Sequence, residues 1–252
     1  MASGKKNTRN LHERIEVPPV SAVYEWGTTL VVASRPDKEI IGCSGAIALL
    51  RQMGYRVHVV FMCNNLGAYQ ASNNFQLMCS QPECCHEAIC ALSKLGISQE
   101  SITFLDTQNY TVPQVGQEGF KEAVKMFKAK LNDLIPDTVL LPWTADSQQD
   151  HHAVWSIAQR ALQDETYVEH LIEYAMKPWV AKEHIAQLDQ HDKHLWKLDN
   201  KSVLEHKLEA LSQFQPYHMP RQEERLTVAT EISSDMMAYL THPWELYLIN
   251  NI

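Results

Sequence analysis

Short apolar, β-branched runs recur along this chain, and a stretch with helical periodicity separates each from the next. The runs lie at residues 30–33, 56–63 (Val57-His58-Val59-Val60-Phe61 at its centre), 102–105 and 138–141. Runs of this length with little polar alternation read as strands buried on both faces. The stretches between them read as helices over 45–53, 81–95, 118–134 and 153–163. Gly54 and Gly96 suit the ends of the first two, Pro82 suits a first helical turn, and Pro136 stops the third. Such alternation folds as an α/β domain with a Rossmann-like, mostly parallel sheet and helices on both faces. After Leu171 the pattern loosens; 171–176 and 195–198 read as strands and 202–214 as a helix.

Composition sets the frame for that sheet. With 252 residues and 45% hydrophobic content, the chain suits one large domain over 21–252. Residues 1–14 are polar and basic and lack the apolar core of a signal peptide, so 1–20 is expected to be a flexible arm. A formal net charge of -8 argues against a nucleic-acid binder. No apolar run approaches the roughly 18 residues that a membrane span needs. The six cysteines, Cys43, Cys63, Cys79, Cys84, Cys85 and Cys90, form no zinc-type spacing and read as free thiols of a cytoplasmic protein.

Two polar turns follow strands. Ser34-Arg35-Pro36-Asp37-Lys38-Glu39 follows the first and leads into Gly42-Cys43-Ser44-Gly45-Ala46. Asp146-Ser147-Gln148-Gln149-Asp150-His151-His152 follows the fourth. In open α/β sheets ligands bind at the carboxyl ends of strands, where these turns lie. Together, in order and separation, they resemble the motifs Ala-His-Pro-Asp-Asp-Glu and Asp-x-His-Pro-Asp-His of the PIG-L/LmbE-type zinc N-acetyl-sugar deacetylases. Weaker echoes are Cys85-His86-Glu87-Ala88 with Leu95-Gly96-Ile97, Phe104-Leu105-Asp106, Lys207-Leu208-Glu209-Ala210-Leu211 and Pro243-Trp244-Glu245. The resemblance spans roughly residues 28 to 248.

The resemblance implies roles by position. Arg35 stands at a zinc-ligand His, Asp37 at the general base and Lys38 at a zinc-ligand Asp. Gln148 stands at the His that stabilises the tetrahedral intermediate, and His151 at the remaining ligand His. Asn65 and Tyr69 fall in the loop that contacts substrate in the family. Trp143, after the fourth strand, is a candidate platform for a sugar ring, and Arg35 a candidate contact for an anionic substituent.

A catalytic zinc takes three protein ligands and a water whose pKa it lowers. Only His151 of the family ligands is retained. At 4 Å and an effective dielectric of 20, two unit charges interact by about 4 kcal/mol, so each cation opposes a divalent ion by roughly 8 kcal/mol as an upper bound. Zinc at a good site gains only about 10–16 kcal/mol. The sequence therefore predicts a metal-free site, with Asp37, Asp146 and Asp150 available as partners for the two cations. No cofactor is expected, and zinc only if the site has been rebuilt.

Three functional readings follow. The first is a metal-free pseudo-deacetylase, a binding or assembly subunit with a pocket for a sugar or sugar phosphate. The family resemblance implies homo-oligomers and assembly with an active partner. The second is an active N-acetyl-sugar deacetylase whose metal is held by a set drawn from Glu39, His86, Asp146, Asp150, His151 and His152. The third is a metal-free enzyme in which Asp37 is a base and Lys38 a nucleophile. His184, His191 and His194 lie in a charged stretch and read as solvated, and Trp155 and Trp179 as packing residues.

Overall fold

The apolar runs of the sequence assemble into one sheet. The structure, a computed structural model, describes residues 15–62, 81–105, 111–144, 148–163, 165–176, 194–214 and 238–250. The strands are β1 (Ile15–Glu16), β2 (Thr29–Ala33), β3 (Val57–Phe61), β4 (Ile102–Phe104), β5 (Thr138–Pro142), β6 (His170–Tyr174), β7 (His194–Asp199) and β8 (Trp244–Asn250). The helices are α1 (Lys38–Gln52), α2 (Gln81–Lys94), α3 (Phe120–Leu134), α4 (Gln149–Leu162) and α5 (Leu204–Leu211). The strand order is β1-β7-β8-β6-β5-β2-β3-β4. β8 alone runs against its neighbours, β6 and β7; the remaining pairs are parallel.

Alternate residues of each central strand enter different cores, as the pleat requires. Val31 and Ala33 of β2, Val59 and Phe61 of β3 and Leu140 of β5 pack on one face with Ile40, Ile47 and Leu50 of α1, Leu92 of α2 and Leu211 of α5. Leu30, Val32, Val60, Val139 and Leu141 pack on the other with Phe127 and Leu131 of α3 and Val154 and Ile157 of α4. Every residue of β2 and of β5 is buried, which is why those strands read as unbroken apolar runs.

Two expectations change. The arm does not stay free to residue 20: Ile15 and Glu16 pair with Leu195 and Trp196, and the Trp196 indole donates to the Glu16 carboxylate at 3.1 Å. A 3-10 helix, Val20–Trp26, then buries Val23 and Trp26, and Trp26 meets Tyr247 edge-on at 5.5 Å. Helix α1 begins at Lys38 rather than at residue 45, but it is broken at Cys43, whose φ of -147 and ψ of 20 are not helical. The regular helix therefore does start near Gly45. Among the described residues, no helix is long and apolar enough to cross a membrane.

Close approach explains the small residues of α1. A Cβ on Gly42 would overlap the ring of Tyr174, and one on Gly45 would overlap the side chain of Asn200. Only hydrogen at these positions lets α1 lie directly on the β6 side of the sheet.

Candidate ligand site at the switch point of the sheet

From β2 the chain proceeds outward through β3 and β4, then returns to place β5 on the other side of β2. This reversal opens a crevice beyond the carboxyl ends of β2 and β5, the place where open α/β sheets bind ligands. Both polar turns lead into it. The first occupies Ser34 to Asp37, and the second runs from Trp143 towards Gln148, with 145–147 outside the described residues.

Asp37 adopts a left-handed backbone, with φ of 88 and ψ of -28, immediately before α1. Asp is among the few residues that tolerate this region, and such outliers cluster at functional sites. Its carboxylate lies 3.1 Å from the Lys38 ammonium through each of its two oxygens. The side chains are 24% and 12% exposed, so this is a largely desolvated pair. Arg35 is half-buried and makes no ion pair with a described carboxylate.

Glu39, in the first turn of α1, is wholly buried, and neither of its oxygens makes a well-formed hydrogen bond. Burial pushes its carboxyl well above the ordinary range, and the neighbouring Asp37 charge adds to this. Nearby backbone groups at Asp37 and Glu39 and the Lys38 charge relieve it only in part. Glu39 therefore holds a proton at pH values where an ordinary glutamate has lost it.

Across the crevice, Gln148 caps α4 with an extended backbone and is half-buried. His151 lies one turn on, fully buried, with its N–H bonded to the Gln148 carbonyl at 3.1 Å. Two residues of β6, neither singled out by the sequence, hold these turns. Tyr174 donates its hydroxyl to the carbonyl of Val32 at 2.9 Å. The buried Glu173 carboxylate accepts from the N–H of Thr144 at 2.8 Å and from its hydroxyl at 2.9 Å.

The sheet topology places Arg35, Asp37 and Lys38 after β2, and Gln148 and His151 after the adjacent β5. Trp143 does not present a ring face to the crevice; it is 3% exposed and packs with Ala175, Leu195, Leu246 and Leu248. Asn65, Tyr69, Asp146, Cys63, Cys79, Asp106, Trp179, His184 and His191 lie outside the described residues. Among the described carboxylates, Asp37 pairs with Lys38, while Asp150 pairs with neither Lys38 nor Arg35. His86 is exposed on α2, in contact with Cys90 at 3.5 Å.

The family resemblance implies a zinc ion, with its ligands at the positions of Arg35, Lys38 and His151. Cations stand at two of its three ligand positions. Among the described residues no three His, Cys, Asp or Glu side chains gather closely enough to hold a metal. The side chains of Arg35, Asp37, Lys38 and Gln148, each half-buried, are a guanidinium, an ion pair and an amide, a set suited to hydrogen-bonding a polar, oxygen-rich ligand.

Comparison with known proteins agrees with this architecture. The PIG-L family model, described as GlcNAc-PI de-N-acetylase, matches residues 30–162, from β2 to the end of α4. The N,N'-diacetylchitobiose deacetylase of Pyrococcus horikoshii superposes with a TM-score of 0.62 at 17% identity, covering 92% of this chain and 86% of that one. The A40926 pseudoaglycone deacetylase gives 0.61 at 14% identity, covering 90% and 98%. GalB, the 4-carboxy-2-hydroxymuconate hydratase of Pseudomonas putida KT2440, gives 0.58 at 18%, covering 89% and 95%. At such identities these likenesses establish the fold, and a hydratase beside deacetylases shows that one fold carries different chemistries. A comparison with curated proteins finds no match. With more than half its length matched and both motif turns inside the match, the chain belongs to the PIG-L family.

Proposed function

We propose that this chain is a metal-free pseudo-deacetylase, a member of the family that binds a sugar or sugar phosphate instead of hydrolysing an N-acetyl group. The observation that carries the reading is the Asp37–Lys38 pair at 3.1 Å. A base that must take a proton from water is here engaged by an ammonium, and that ammonium stands at a ligand position. Gln148 supplies a neutral amide at the position of the oxyanion His and cannot become a cation there.

Arg35 supports an anionic ligand. Its guanidinium is half-buried and unmatched by a described carboxylate, and the planar fork suits phosphate oxygens. A chain of this kind acts as a binding or assembly subunit, in a homo-oligomer or beside an active partner.

The test is metal content after incubation of purified protein with excess zinc. The expected result is below about a tenth of an equivalent, against tight stoichiometric binding at a true structural or catalytic site. Near one equivalent, lost in His151→Ala, overturns the reading and points to a rebuilt hydrolase. Calorimetry supplies the second arm. A hexosamine phosphate binds more tightly than the neutral sugar, and Arg35→Ala removes the difference.

A further inference from the structure

The opposite end of the sheet carries a second concentration of polar groups. A cleft of about 230 Å³ opens where α1 ends, β3 begins and the α2–β4 turn passes, lined by Arg51, Arg56, His58, Ser98 and Ser101. Val57 in this cleft lies beside Thr29 at the start of β2, whereas the Arg35 turn follows Ala33 at its end. Four residues of strand, about 13 Å, separate the two ends.

Two guanidinium groups line this cleft, Arg51 half-buried and Arg56 exposed. Arg51 donates through Nε to the carbonyl of Gly96 at 2.9 Å and through Nη1 to that of Tyr55 at 2.5 Å. Arg56 donates through Nη2 to the Thr28 hydroxyl at 3.4 Å. All of these acceptors are neutral. Among the described residues neither guanidinium has a carboxylate within ion-pair distance, in a chain whose formal net charge is -8.

His58 adds a half-buried imidazole whose protonation is disfavoured by burial, then by Arg56 and Lys130, while Asp133 favours it. The hydroxyls of Ser98 and Ser101, 3.4 Å apart, add donors. One acid competes. Glu100, fully exposed, is held below the usual carboxylate range by its own backbone and the Ser98 hydroxyl. Water screens its charge as it does that of the exposed Arg56, while Arg51 is held by two backbone carbonyls.

We infer that this cleft binds a tetrahedral oxyanion, phosphate or the phosphate of a monoester, at a site separate from the switch-point crevice. The guanidinium groups of Arg51 and Arg56 take its oxygens as charge-assisted donors, and Ser98 and Ser101 complete the set.

The test follows the His58 ring by NMR in the full chain at constant ionic strength. The titrants are inorganic phosphate, phenyl phosphate and, as control, chloride. Phosphate is expected to shift the ring saturably and to raise its titration midpoint, because the anion offsets Arg56. Arg56→Ala weakens binding about tenfold, the value of one lost charge-assisted contact, and Glu100→Gln tightens it. The His170 ring, on β6, stays in place in each variant and reports an intact fold. Tighter phenyl phosphate identifies a monoester as occupant, and tighter inorganic phosphate identifies the free ion. An unsaturable shift, an equal response to chloride, or unchanged affinity in Arg56→Ala with His170 undisturbed overturns the inference.

Discussion

Asp37 and Glu39 flank Lys38, and the two carboxyls meet opposite environments. Asp37 keeps an ammonium at 3.1 Å and accepts a strained backbone to do so. Asn tolerates the same backbone but carries no charge, so Asp37→Asn isolates the pair. Loss of a charge-assisted contact predicts a destabilisation of about 1.5–3 kcal/mol, read by urea unfolding. Glu39 has no such partner, and its folded-state proton affinity is raised above the ordinary value of 4.5. Above that pH the folded chain binds more protons than the unfolded one, so stability falls as pH rises towards the folded-state value. Glu39→Gln removes this slope. Its gain over the parent chain is expected to be larger at pH 8 than at pH 5, read by urea unfolding at the two pH values. Equal differences at the two pH values would sink the assignment.

Helix α1 is held by the far end of the chain. The break at Cys43 opens a new helix start, whose first N–H groups lack acceptors within the helix. The Glu245 carboxylate of β8 receives the N–H of Gly45 at 2.8 Å and of Ala46 at 3.1 Å. It also receives the Ser44 hydroxyl at 3.4 Å, the Tyr247 hydroxyl at 2.7 Å and the Lys207 ammonium of α5 at 2.8 Å. Lys207 and Glu245 are 1% and 0% exposed. Burial pushes the Tyr247 phenol well up, so its hydroxyl remains a donor. Removing one partner of a buried pair leaves an unmatched charge. Lys207→Met is therefore expected to cost about 3–5 kcal/mol in denaturant unfolding. Lys207→Met with Glu245→Gln recovers part of that loss, and a strictly additive cycle would argue against the pairing. Gly42→Ala is expected to cost about 1–3 kcal/mol by overpacking against Tyr174, read as a lowered melting temperature.

For the whole molecule, the reversal of strand order at β2 decides where a ligand goes, and β8 decides whether the sheet is continuous. β8 lies between β6 and β7, so a chain cut before Trp244 loses both pairings and the carboxylate that caps α1. Such a chain is expected not to fold, as judged by loss of cooperative unfolding. If the site is metal-free, neither zinc nor a chelator changes the melting temperature, because only a ligand of the folded state shifts that equilibrium. A rise with zinc that disappears in His151→Ala would favour a rebuilt metal site.

Much of this was written in local sequence, and the rest could not have been. The runs at 30–33 and 138–141 are buried on both faces, which removes polar alternation and makes such strands legible. Arg35, Asp37, Lys38 and His151 could be placed at family positions because those motifs are contiguous along the chain. Trp143 shows the limit: an indole reads the same whether it faces a ligand or four apolar side chains. The Lys207–Glu245 pair shows it again. Its members are 38 residues apart, and each appeared only as a faint motif echo. The order of apolar and polar segments determined the α/β class and the location of the crevice, since both follow from periodicity and strand-end chemistry. Only the tertiary structure decided which charges are buried together, which turn is strained and where, among the described residues, a guanidinium lies beyond ion-pair distance of a carboxylate, because those depend on long-range proximity and loss of water.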